Sequence, residues 1–268
     1  MKLSSIAFVG GGNMAAALIG GLRQAGLPAS AIQVVEPFAA QRERLAQQHG
    51  VAAAAAAGAA LAACGIVVWA VKPQLFAEAA APCEPFVGNA LQLSVMAGIR
   101  SEAIVRATGS TRVVRSMPNT PALIGQGIAG LYARDAVGAD ERAAVEEVLR
   151  PTGRLLWVPR EEDLDAVTAL SGSGPAYVFY FIEAMMQAAR DMGLSEADGR
   201  TLAQATFAGA TALAQASDEA PSVLRERVTS KGGTTHAAIS SMEADGVKAA
   251  FVKAIRAAQQ RAHELGGG

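Results

Sequence analysis

The sequence contains few of the residues that build disulfide frameworks or metal clusters. Only two cysteines, Cys64 and Cys83, occur in 268 residues, and the three histidines are widely spaced. We therefore expect neither a disulfide framework nor a metal site, and we predict a reducing cytoplasm as the compartment. The formal net charge is −1. The sequence thus lacks the electrostatic signature of proteins that bind nucleic acid or anionic membranes.

Charged residues are also scarce, at 18%, whereas hydrophobic residues make up 51%. A chain of this length forms about two domains, and this much apolar surface favours a homo-oligomer over a monomer. Residues 51–71 lack charges but are mostly alanine. We interpret them as an alanine-rich helix followed by a buried strand, not as a membrane span. The N-terminal apolar run is too short for a signal peptide.

Strand-like and helix-like segments alternate along the first 150 residues. We expect strands at 6–9, 32–35, 66–71, 91–95, 113–115 and 127–132, and helices at 14–24, 41–48, 74–81, 101–108 and 139–149. Such alternation predicts a doubly wound, mostly parallel sheet covered by helices on both faces. We assign this α/β Rossmann domain to residues 1–160.

Strand patterns end near Glu161, and the pattern of the chain after this residue predicts helices. Residues 175–189 contain one charge, Glu183, so this helix is expected inside a bundle or between subunits. Ser195 with Asp198 resembles a capping box at the start of the next helix, and two more helices follow Thr234 and Gly246. We therefore assign residues 161–268 to an all-α domain.

A glycine-rich turn follows the first predicted strand. It reads Gly10-Gly11-Gly12-Asn13-Met14, with Ala15 as a third small position. In the dinucleotide-binding pattern the first glycine permits the tight turn, the second lets the backbone approach a pyrophosphate, and the third small residue allows close packing of helix and strand. The helix N-terminus then offers free N–H groups to the phosphates. An ordinary tight turn is the alternative.

Four other segments stand out, and three of them, all except the loop 115–121, have a plainer alternative as a turn or a helix cap. They are Lys72-Pro73-Gln74, the rigid loop 115–121, Ser171-Gly172-Ser173-Gly174-Pro175, and Thr229-Ser230-Lys231-Gly232-Gly233-Thr234-Thr235. The last presents several N–H and O–H donors at the start of a predicted helix. This composition indicates a site for an anion, either a carboxylate or a phosphate.

The chain resembles the pyrroline-5-carboxylate reductase family along nearly its whole length. The resemblance is carried in register by segments 10–14, 70–74, 94–99, 115–121, 165–177 and 229–235. It implies an N-terminal Rossmann domain and an all-helical dimerisation domain that interleaves with its partner. It also implies reduction of the cyclic imine 1-pyrroline-5-carboxylate to L-proline with NADPH or NADH, the last step of proline synthesis.

The resemblance also implies roles for particular residues. The cofactor would contact Gly10, Gly11, Gly12, Asn13, Met14, Ala70, Val71, Lys72 and Pro73, with Met96, Ala97 and Gly98 near the nicotinamide. The substrate carboxylate would be bound by Ser230, Gly232, Gly233, Thr234 and Thr235. Thr235 would orient the ring nitrogen and is the catalytic candidate. Lys231 replaces a common proline, and an alanine near Ala57 replaces an asparagine that often contacts adenine.

The sequence leaves two other functions open, and also the choice of cofactor. A β-hydroxyacid dehydrogenase would place a catalytic lysine where this chain has 178–181, Val-Phe-Tyr-Phe. A nucleotide-sensing dimer without turnover is the second alternative. Glu36, at the end of the second strand, would bond a ribose 2′-OH and favour NADH, whereas Gln41 and Arg42 are close enough in sequence to reach a 2′-phosphate.

Overall fold

The computed structural model of the chain describes residues 5–267, and within them seven strands form one sheet. The strands are β1 Ile6–Val9, β2 Ile32–Val35, β3 Ile66–Trp69, β4 Leu91–Ser94, β5 Val113–Met117, β6 Gly127–Ala133 and β7 Gly153–Trp157. Their order is β2-β1-β3-β4-β5-β6-β7, and every neighbouring pair is parallel except β5 and β6. The mostly parallel sheet predicted from the alternating pattern is confirmed.

Helices cover both faces of this sheet. They are α1 Asn13–Gln24, α2 Ala39–His49, α3 Phe76–Ala80, α4 Glu84–Val87, α5 Ser101–Thr108, α6 Ala139–Leu149 and α7 Asp163–Val167. Because side chains alternate along a strand, Phe8 and Val68 join one buried cluster, whereas Val9 and Trp69 join another. The two clusters form a core on each face of the sheet, as doubly wound folds require.

Two local expectations for the first domain are wrong. The alanine-rich segment does not form a long helix: Ala54 pairs with β2 through a bridge to Val35, and only the short 3₁₀ helix Ala59–Ala63 follows. Pairing with the edge of β2 outweighs the helix propensity of alanine, which is a weak preference. The sequence interpretation also omitted β7, where Arg154 and Leu156 are exposed and the alternate residues Gly153, Leu155 and Trp157 are partly buried.

The chain separates into two compact units. One contains residues 5–173 together with residues 258–267, and the other contains residues 174–257. The predicted boundary at residue 160 stays a prediction, since the first compact unit extends to Ser173 and also includes the C-terminal segment. Within that unit, the Nδ1 atom of His263 lies 3.4 Å from Oδ2 of Asp165, and a Cβ on Gly98 would lie 3.2 Å from the carbonyl oxygen of Leu265.

The rest of the chain is helical. Its helices are α8 Gly174–Asp191, α9 Glu196–Gln215, α10 Pro221–Arg227, α11 Thr234–Ala244 and α12 Val247–Leu265, whose last residues belong to the first unit. The predicted cap at Ser195 is confirmed, because its hydroxyl accepts a bond from the Asp198 N–H at 3.1 Å. Phe179 and Tyr180 of α8 are largely exposed, which leaves a subunit interface as the expected environment of this helix. No helix in residues 5–267 combines the length and apolar character that a membrane crossing requires.

Candidate active site

The turn after β1 has the geometry that its three glycines predict. Gly10 has a φ of +97°, and a Cβ there would lie 2.6 Å from the carbonyl oxygen of Ala70. Gly11 is equally enclosed, since a Cβ would lie 2.8 Å from Cδ1 of Leu45. Gly12 differs: it has no atom within 4 Å of an added Cβ among the described residues. The turn therefore packs tightly against the protein on one side and leaves free space at Gly12.

The start of α1 is open to an anion. Gly12 is the residue before the helix, and no side chain in the described part of the chain caps it. The first N–H groups of a helix carry a partial positive charge, and phosphates bind there readily. The free space at Gly12 and the uncapped helix together form a cradle that fits a dinucleotide pyrophosphate.

The loops after β3 and β4 lie at the same edge of the sheet as the glycine turn. The Ala70 N–H donates to the Val9 carbonyl at 2.9 Å, and the Val95 N–H donates to the Trp69 carbonyl at 3.1 Å. The strand order reverses at β1 and β3, and ligands of doubly wound sheets bind in the crevice at this point. The structure thus brings together the predicted cofactor residues of the three loops, 10–14, 70–73 and 96–98.

Glu36 follows β2 beside this crevice but is almost fully buried, with 5% of its surface exposed. Its Oε2 accepts the Gly11 N–H at 2.7 Å, and its Oε1 accepts the Phe38 N–H at 2.9 Å. Arg42, which the sequence placed within reach of a phosphate, donates from Nη1 to the carbonyls of Glu36 and Pro37. Both side chains therefore hold the backbone of the loop that follows β2.

Buried charges cluster around Arg115, in the middle of β5, and sequence reasoning did not foresee them. Arg115 donates to Oε1 of Glu161 at 2.9 Å, and the carboxylate of Glu161 also accepts the N–H and hydroxyl of Ser101 at 2.6 and 2.7 Å. Burial acts to raise the pKa of Glu161, but the bonds from Ser101 and Arg115 outweigh it and lower the pKa. Burial in turn lowers the pKa of Arg115. The signal available in the sequence was an arginine inside a strand.

The loop after β5 and the segment before α8 are held together. The Asn119 amide donates to the Ser171 hydroxyl at 3.2 Å, and its oxygen accepts the Ile128 N–H at 3.0 Å. The segment 168–172 forms a π-helix, and a Cβ on Gly172 would collide with the Met117 side chain. Residues of two motifs found in the sequence, 115–121 and 171–175, are therefore in contact within the first unit.

The loop 229–235 lies in the second unit. Gly232 has a φ of +75°, and a Cβ on Gly233 would lie 2.6 Å from Oγ of Ser230. Gly233 precedes α11, and no side chain among the described residues caps this helix. The loop therefore presents the exposed Ser230 hydroxyl and the first N–H groups of α11, which together are suited to bind a carboxylate.

The fold and the glycine turn define a Rossmann-type dinucleotide-binding protein. Comparison with family models gives a match of residues 161–265 to pyrroline-5-carboxylate reductase dimerisation and of residues 5–98 to NADP oxidoreductase coenzyme F420-dependent. The pyrroline-5-carboxylate reductase of Pseudomonas aeruginosa is 42% identical over 267 residues, which cover 99% of this chain and 98% of that protein. The chain belongs to the pyrroline-5-carboxylate reductase family.

Solved structures agree with this assignment. A pyrroline-5-carboxylate reductase from Coxiella burnetii is similar with a TM-score of 0.91 and 33% identity, covering 98% of this chain and 99% of that one. The Plasmodium falciparum pyrroline carboxylate reductase, solved with NADP bound, is similar with a TM-score of 0.87 and 26% identity, covering 99% of each chain. The resemblance drawn from the sequence motifs is confirmed, and residues 161–265 match the dimerisation domain of the family.

Proposed function

We propose that the chain reduces 1-pyrroline-5-carboxylate to L-proline with NAD(P)H. The observation that carries the proposal is the match to pyrroline-5-carboxylate reductases over 99% of the chain, so that both the nucleotide fold and the dimerisation domain are included. The reduced nicotinamide supplies a hydride when it is bound. The protein must then hold the cofactor, orient the cyclic imine and exclude competing water.

The cofactor is held in the crevice after β1, β3 and β4. The uncapped start of α1 and the free space at Gly12 receive the pyrophosphate. Ala70, Val71, Lys72 and Pro73 form a wall of the crevice, and Met96, Ala97 and Gly98 lie beside the nicotinamide. In support, the Met96 N–H donates to the Ser94 hydroxyl at 3.2 Å, which fixes this loop close to the sheet.

The substrate carboxylate is bound by the loop before α11. Ser230, Gly232, Gly233, Thr234 and Thr235 provide hydroxyl and backbone N–H donors for it. Thr235 is half-buried on the first turn of α11 and is proposed to orient the ring nitrogen. A protonated imine is already a strong electrophile, so that no further acid is required. Water can supply the proton on the imine nitrogen. Lys231 is exposed, and we assign it no role in catalysis.

Two substitutions test this assignment. Thr235→Val removes one hydroxyl and keeps the shape, so we expect kcat to fall roughly ten- to a hundred-fold while cofactor binding is unchanged. Ser230→Ala removes a contact made in ground and transition states alike, so KM for the imine should rise more than kcat falls. The assay is the oxidation of NADPH in the presence of pyrroline-5-carboxylate.

Thr201→Val is the matched control. Among the described residues its hydroxyl donates only to the Ala197 carbonyl within α9, at 2.9 Å, so this variant loses a hydroxyl that belongs to another helix and should retain wild-type kinetics. Wild-type kinetics in both loop variants would contradict the substrate assignment. Dinucleotide binding by the wild-type chain without any turnover would favour the nucleotide-sensing dimer.

The enzyme is further proposed to be a cytoplasmic homo-oligomer, at least a dimer. Cys64 and Cys83 are both buried and unpaired, and burial raises the pKa of the Cys83 thiol to about 11, so this thiol is unreactive. Unpaired cysteines are typical of a reducing compartment. Exposed apolar side chains on α8 support the dimer.

A further inference from the structure

The position of Glu36 conflicts with the role that its place in the sequence predicts. An acidic residue at the end of β2 usually bonds the ribose 2′-OH of NADH and repels the 2′-phosphate of NADPH. In this chain each carboxylate oxygen of Glu36 accepts a backbone N–H, one from Gly11 and one from Phe38. Only 5% of the residue is exposed, so little of the carboxylate faces a ligand.

The same glycine is contacted on its other side by α2. Arg44 donates from Nη2 to the Gly11 carbonyl at 3.5 Å and from Nη1 to Oδ1 of Asn13 at 3.0 Å. In a trans peptide the C=O and the following N–H point in opposite directions. Because the Gly11 carbonyl points to Arg44, the Gly12 N–H points away from α2. Glu36 and Arg44 thus fix the two peptide planes that present the turn to a pyrophosphate.

We propose that Glu36 is a positioning residue that fixes the glycine turn and does not select between NADH and NADPH. The inference rests on the proposed function in so far as it requires a nicotinamide dinucleotide in this crevice. A carboxylate bonded to two N–H groups stabilises the loop whichever cofactor enters. Removal of the carboxylate should therefore lower the affinity for NADH and for NADPH by the same factor.

Glu36→Gln is the principal variant, because its amide can accept only one of the two N–H groups and turns an NH₂ towards the other. We expect KM for NADPH and for NADH to rise together, each roughly ten-fold, with kcat at saturating cofactor unchanged. Their ratio should stay within about three-fold of that of the wild type. Glu36→Asp keeps the charge but is one methylene shorter, so we expect the same parallel loss.

Glu43→Gln is the matched control, since Glu43 is an exposed glutamate on α2, the helix that follows Glu36 in the chain, and should leave both KM values unchanged. A ribose-binding Glu36 would give a different pattern. Glu36→Gln would then change the NADPH to NADH ratio by ten-fold or more, roughly the effect of one lost bond to a charged group, and Glu36→Asp would preserve the wild-type preference. Either result would overturn the proposal, as would a lower melting temperature with unchanged KM values.

A measurement on the wild-type protein covers the case in which these variants do not fold. The Gly11 amide proton is bonded to a buried carboxylate, so without cofactor it should exchange with solvent at least roughly ten-fold more slowly than the Gly12 amide proton. Equal exchange rates would refute the proposal. Amide exchange, and dissociation constants from nicotinamide fluorescence, need no turnover. They remain informative if the reductase assay itself fails.

Discussion

A valine at position 12 gives the most direct test of the cofactor site, because the structure predicts a loss of binding without a loss of folding. Gly12 has φ −67° and ψ −171°, which any residue can adopt, and an added Cβ has no neighbour within 4 Å in the described part of the chain. Glycine is preferred to valine before a helix, so Gly12→Val should lower the free energy of unfolding by about 0.5–1 kcal/mol.

The effect on the dinucleotide should be much larger. The branched side chain would fill the space through which a pyrophosphate approaches the first N–H groups of α1. Hydrogen bonds to a charged group contribute about 1.5–3 kcal/mol each. Loss of two of them should weaken NADPH binding at least about a hundred-fold, which corresponds to about 2.7 kcal/mol. Titration followed by nicotinamide fluorescence gives the affinity, and denaturant unfolding gives the stability.

Gly138→Val is a control for the loss of unfolding free energy that a valine before a helix causes. Gly138 precedes α6 with φ −77° and ψ 171°, and an added Cβ there also meets no described atom within 4 Å. Both variants should lose similar stability, and only Gly12→Val should lose the cofactor. A folded Gly12→Val protein that binds NADPH within about three-fold of the wild type would refute the placement of the pyrophosphate.

Three further predictions concern stability and assembly. Gly10→Ala should lower the unfolding free energy by about 2 kcal/mol or more, because its φ is +97° and the new Cβ meets the Ala70 carbonyl; an unchanged denaturation midpoint would contradict this. Glu161→Gln should cost about 2–4 kcal/mol at neutral pH by leaving Arg115 without its charged partner. The pKa of Glu161 is lowered from its ordinary value of 4.5. The difference in unfolding free energy between Glu161→Gln and the wild type should therefore persist above pH 4.5 and shrink as the pH falls through the lowered pKa. Light scattering should report at least a dimer at micromolar concentration, and an active monomer would disprove the assembly.

The elements that could be predicted from the sequence are those with a local cause. The bounds of α5 and α6 agree with the periodic pattern, and the turn at Gly10 follows from residues that occur together in the chain. The alanine-rich segment was mispredicted because its conformation depends on pairing between Ala54 and β2, a contact absent from the local sequence. The role of Glu36 was hidden for a similar reason. Its position after β2 is visible in the sequence, but the direction of its carboxylate depends on how Gly11 packs against it.

The return of the C-terminal segment to the first unit has a consequence for synthesis. The last strand of the sheet, β7, ends at Trp157, but residues 258–267 belong to the same compact unit. A ribosome delivers them roughly 100 residues later, on the order of 5–20 seconds at ordinary elongation rates. During this interval Asp165 lacks the neighbouring His263, and the Gly98 loop lacks the backbone of Leu265. The first compact unit is thus completed only after residues 258–267 have left the ribosome, long after its last strand has been synthesised.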